Sequence, residues 1–85
     1  MQRSILKDLY DLVRSQNIKI RFVADDSACG FCVIKNEETL IVNRKLPEAL
    51  KIKEIAILIK QNKLDFVYIK PYLREIIDAL NEERN

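Results

Sequence analysis

Histidine is absent from the chain. That removes the commonest general base, the Ser-His and Cys-His nucleophile systems, and every zinc site that uses an imidazole. Glycine occurs once, at Gly30, so a G-x-x-x-x-G-K-[ST] phosphate loop, a G-x-G-x-x-G turn and a G-x-S-x-G nucleophile elbow are all excluded. Charge of one sign is lacking too: 15 Lys and Arg against 13 Asp and Glu leave a net +2. A surplus that small does not by itself imply nucleic acid or an anionic membrane. No apolar run approaches the roughly 18 residues of a membrane span. The opening MQRSILKDLY, charged at Arg3, Lys7 and Asp8, has no apolar core of a secretory signal. The expectation is a cytoplasmic chain with no membrane partner, whose thiols stay reduced.

What is there is globular. The 85 residues are 48% hydrophobic and 33% charged, with two prolines, richer in Ile, Leu and Val than disordered chains. Residues 1–85 read as one small domain. A chain this short buries only somewhat over half of its unfolded surface, so it is marginally stable alone or helped by self-association.

Periodicity divides the chain. Over 4–16, Ile5, Leu9, Leu12 and Val13 recur at helical spacing, with Ser4 suited to cap the start and Asn17 the end. IKIRFVA (18–24) alternates: Ile18, Ile20, Phe22 and Ala24 face one way, Lys19, Arg21 and Val23 the other. Asp25-Asp26-Ser27 is turn chemistry. FCVI (31–34) is apolar on both faces, which suits a central strand. A polar turn over 35–38 leads to a third strand, TLIVN (39–43). Three strands with short links predict an antiparallel meander with the second in the middle. Pro47 opens a second helix with Ile52, Ile55, Ala56 and Ile59 in one stripe and Ile57 off it. Residues 64–69 are a short fourth strand or an extended connection, the residue before Pro71 being held out of helical geometry. Pro71 starts a last helix with Leu73, Ile76, Ile77 and Leu80 inward. The fold class expected is α+β: a three-stranded antiparallel sheet, with a fourth strand near 65–69 as a variant, and helices packed on one face.

Chemistry concentrates in SACGFC (27–32), which holds the glycine and both cysteines. Cys29 and Cys32 have the spacing of a thiol oxidoreductase or of half a zinc site. Redox catalysis needs a helix N-terminus behind the motif to stabilise the thiolate, and here a strand and a hairpin turn follow. Zinc wants four ligands; a second chain, or Asp25 or Asp26, would have to complete them. The reading preferred is fold: Cys32 in a strand, Cys29 in a turn, Gly30 at a bend or bulge. Asp25, Asp26, Glu37 and Glu38 lack the ordered spacing of a calcium loop and read as solvated turns. Lys19, Arg21 and Lys35, with Arg44 and Lys45 near the sheet end, form a candidate phosphate-binding patch, although the solvent side of a sheet is ordinarily charged.

Two resemblances follow from this order of elements. The α-β-β-β-α string resembles double-stranded RNA-binding domains, without their Gly-Pro-x-His loop or K-K-x-A-K helix start: the corresponding residues are Lys35-Asn36-Glu37-Glu38 and PEALKIK (47–53). IKIRFV, CGFCVIKNEETLIVNRKL and the helix after them resemble the strand, hairpin and helix of small HExxH zinc metallopeptidases. The helix here reads EIAILIKQ, so the resemblance implies a scaffold without metal, cofactor or activity. More broadly, LIVNRKLPE and KPYLREIID make the chain similar to short bacterial proteins of uncharacterised function. The function expected is therefore non-catalytic: a binding domain acting by self-association, as a homodimer, or on a protein partner. Off-stripe Tyr10 and Ile57 are its candidate interface residues. The alternatives are a nucleic-acid module using the basic face, and a redox or inter-chain zinc site at the CxxC.

Overall fold

A computed structural model describes residues 4–24, 29–64, 66 and 68–83. Helix α1 (Ile5–Arg14) leads into strands β1 (Lys19–Val23), β2 (Gly30–Ile34) and β3 (Glu37–Asn43), and helices α2 (Glu48–Gln61) and α3 (Pro71–Glu82) follow.

Local chemistry accounts for most boundaries. The Ser4 hydroxyl accepts the Lys7 N–H at 3.2 Å, capping α1. After α1 the chain turns through Asn17 at φ 62°, a left-handed conformation that Asn tolerates. Pro71 sits in the first turn of α3, where its missing N–H costs nothing. Lys35 and Asn36, at φ 51° and 65°, form a two-residue turn with both centres left-handed, the type whose twist matches a hairpin. Ile34 therefore pairs directly with Glu37. The polar turn expected over 35–38 is shorter, and Glu37 and Glu38 belong to β3.

The sheet corrects the expected meander. It is mixed, in the order β1-β3-β2: β1 runs parallel to β3, Lys19 beside Thr39 through Val23 beside Asn43, and β2 runs antiparallel to it. β3, not β2, is central. Its Leu40 and Val42 are fully buried on one face, and Thr39 and Asn43 are buried on the other. β2 is an edge whose Cys32 and Val33 are exposed, Val33 at 68%. Its apolar character reflects uncovered surface, not a central position. No described residue of 64–69 lies in a strand, and 65 and 67 fall outside the described residues.

The core sits on the Leu40–Val42 face. Leu9, Leu12 and Val13 of α1, Ile55, Ala56 and Ile59 of α2, and Leu73 and Ile77 of α3 join Leu40, Val42, Ile18 and Cys29 in one buried cluster. Burying each such aliphatic side chain is worth about 1.5–3 kcal/mol. α2 is the middle helix, packing on both α1 and α3 and touching β2. α3 is tied to it by the Asn81 side chain, which donates to the Ala56 carbonyl at 3.0 Å, and by Lys60–Asp78 at 2.8 Å. Among the described residues no helix is long and apolar enough to cross a membrane.

Candidate interaction surface

The two cysteines do not share a site. Cys29 precedes β2 and belongs to the core, whereas Cys32, three residues on along extended chain, is exposed. An odd separation on a strand sends side chains to opposite faces, so the CxxC spacing that would bring two sulfurs together on a helical turn separates them here. Both are free thiols. The Cys29 N–H donates to Glu54 Oε1 at 3.1 Å, pinning the start of β2 to α2. Burial pushes the Cys29 thiol above its ordinary value, and the neighbouring Glu54 carboxylate pushes the same way. A raised pKa leaves less thiolate near neutral pH, the opposite of what a catalytic cysteine needs. Near neutral pH a thiol reagent should label Cys32 promptly and Cys29 at least about tenfold more slowly. Equal rates, read by mass spectrometry of the labelled peptides, would contradict this placement.

The basic residues are dispersed. Lys19 and Arg21 lie on the sheet face opposite Leu40 and Val42, and Lys19 is paired with Glu37 at 2.7 Å. Lys35 occupies the hairpin turn at one end of seven-residue β3, and Arg44 and Lys45 follow its other end. At about 3.3 Å per residue those ends are roughly 20 Å apart. The Arg44 N–H donates to the Val23 carbonyl at 2.9 Å, prolonging the β1–β3 ladder. Asp25 and Asp26 fall outside the described residues. Among the described residues no three of Cys, Asp and Glu gather closely enough to hold a metal.

Tyr10 and Ile57 are both half-buried. Tyr10 packs against the core and meets Phe22 edge-to-face, ring centroids 5.5 Å apart, with the Arg14 guanidinium over its ring. Burial raises its phenol pKa, and Cys29 adds to the rise. Ile57 stands outside the core cluster on α2. A groove of about 530 Å³ between α2, the 64–69 connection and α3 has an apolar floor of Ile59, Leu64, Phe66 and Ile77. Its rim is crossed by the Lys60–Asp78 pair.

The surface that stands out is the β2 side of the sheet. Register places Val23, Ile41, Cys32 and Ile34 on the face away from Leu40 and Val42, and none belongs to the core cluster. The two sheet edges differ in chemistry. β1 carries Lys19 and Arg21, charges of the kind that keep an edge from pairing with another chain. β2, Gly-Phe-Cys-Val-Ile, carries no charge and no proline. These residues were identifiable by alternation: TLIVN puts Ile41 opposite to Leu40 and Val42, and IKIRFVA puts Val23 with Lys19 and Arg21. What alternation lacks is the identity of the edge. Comparison with family models, with curated proteins and with solved structures gives no match for the chain.

Proposed function

We propose that this chain is a non-catalytic interaction domain that self-associates through the β2 side of its sheet. The observation that carries the reading is the composition of edge strand β2, uncharged along its length with Cys32 and Val33 exposed. Natural edge strands are guarded by charge, proline or a covering element, because their free backbone groups template pairing with another chain. An unguarded edge that carries exposed apolar side chains is a surface built to be covered. A chain of 85 residues buries only a limited share of its surface on folding, which makes such covering favourable.

The helix α2 supports the non-catalytic part of the reading. Ile55, Ala56 and Ile59 point into the core, and Glu54 is occupied by the Cys29 N–H. The side chains of this helix hold the fold together.

Sedimentation or light scattering of the chain at tens of micromolar should report a dimer. Charges placed on the exposed residues of this edge strand, Cys32→Lys together with Val33→Lys, should give a folded monomer by the same measurement. A wild-type chain that is monomeric under these conditions would sink the reading.

A further inference from the structure

We infer that the partner is a second copy joined edge to edge along β2, antiparallel, with Cys32 on the two-fold axis, so that two three-stranded sheets become one of six strands. The inference rests on the self-association proposed above and adds the edge, the direction and the register.

The hairpin determines which backbone groups are free. In a two-residue hairpin the residues flanking the turn form a hydrogen-bonded pair, and pairs then alternate along the ladder. Ile34 opposite Glu37 is such a pair, so Val33 opposite Glu38 is a non-bonded one, Cys32 opposite Thr39 a bonded one, and Phe31 opposite Leu40 non-bonded. The N–H and C=O groups of Phe31 and Val33 therefore point away from β3, out of the sheet. No other hydrogen bond among the described residues engages them. They are four unsatisfied backbone groups, symmetrically placed about Cys32.

That symmetry selects one register. A strand whose outward groups lie at 31 and 33 can pair with a copy of itself antiparallel about residue 32. Phe31 then faces the partner's Val33 and exchanges both backbone hydrogen bonds with it, and Val33 faces the partner's Phe31 likewise. All four outward groups are used. The side chains agree with the backbone. On the core side, Phe31 beside the partner's Val33 is an aromatic–β-branched pair of the kind that stabilises adjacent strands. On the other face, Ile34 lies beside the partner's Gly30. Gly30 has open space where a side chain would start, so the pairing sets a large residue against a vacant one. Gly30 needs no positive φ, and its missing side chain finds a use in this arrangement.

The axis has a chemical reporter. Two Cys32 residues in a non-bonded antiparallel pair have Cα atoms about 4.5 Å apart, inside the range of about 4.4–6.8 Å that a disulfide spans. Oxidation of the full chain by diamide should join them. The two S–H bonds are lost as the S–S bond forms, and the two electrons and two protons pass to the N=N bond of diamide, which is reduced to its hydrazine.

The experiment is diamide crosslinking of wild-type, Cys29→Ser and Cys32→Ser chains, read on a non-reducing gel across a dilution series. Wild type and Cys29→Ser should convert almost wholly to a linked dimer at a rate that does not change with dilution above the dissociation constant. Cys32→Ser should give none. A Val33→Pro chain, whose lost N–H lies outside the β2–β3 ladder, should keep its circular dichroism while its dimer dissociates roughly ten- to a hundredfold more readily, two hydrogen bonds being removed per dimer. A dimer by sedimentation that links only in proportion to concentration overturns the register and leaves self-association standing. A chain monomeric by sedimentation, linking only by collision, overturns both. Wild-type crosslinking remains decisive if Val33→Pro fails to fold.

Discussion

Leu40→Ala should lower the stability of the isolated chain by about 3 kcal/mol, with a fall in Tm of roughly 12–24 °C for a domain of this size. Leu40 is fully buried in the central strand, among apolar side chains contributed by all three helices. Truncating it removes the transfer free energy of three carbons and leaves a cavity that a sheet anchored on both sides closes poorly. The control is Val33→Ala, on the neighbouring strand and 68% exposed, which should change stability by no more than about 0.5 kcal/mol. Both are to be measured by urea or thermal unfolding in dilute protein, where association adds nothing. The pair tests the strand order directly. Were β2 the middle strand, Val33 would behave as a core residue and the two substitutions would cost alike.

The second large effect belongs to the hairpin turn. Lys35 and Asn36 both lie at positive φ, which costs an L-residue with a β-carbon about 1–2 kcal/mol. Lys35→Pro should destabilise by about 2 kcal/mol or more, because proline cannot leave negative φ. It would also release β2 from β3, so the loss of dimer should accompany the loss of stability. In the opposite direction, Lys35→Asn with Asn36→Gly places the preferred residues of this turn type and should stabilise by about 1 kcal/mol. Paired unfolding curves check both signs. A turn that tolerates proline would mean that the register read here, and the outward set of Phe31 and Val33 with it, is wrong.

Much of the fold was legible locally. Ser4, Asn17 and Pro71 mark boundaries because each answers a backbone requirement that a single residue can meet: a free N–H, a left-handed φ, a donor not needed. The faces of β1 and β3 follow from period two, and the stripe Ile55, Ala56 and Ile59 of α2 from helical period. The site was legible in part. Cys29 and Cys32 drew attention as a pair, and the structure places one in the core and the other at an edge. Glu54, which fastens Cys29 to α2, gave no signal, since a glutamate in an exposed-looking helical position is ordinary until something twenty-five residues away is brought beside it.

The strand order was misread for a physical reason. FCVI is the most uniformly apolar of the three strands, and in a monomer that composition suits the middle. Burial in a sheet, however, depends on neighbours on both sides, and period two says which face a residue takes without saying which strand lies next to it. β3 is central because its two flanks accept β1 and β2 at once, and because Leu40 and Val42 share one buried cluster with the stripes of all three helices. By itself the sequence determined the three helices and three strands, the alternating faces of β1, a polar turn after Ile34 and the lack of any histidine- or glycine-based catalytic motif, all matters settled within a few residues of chain. Only the tertiary structure decided that β1 lies parallel to β3 and that β2 is left at the edge, since strand adjacency is a competition among long-range pairings whose outcome no local pattern records.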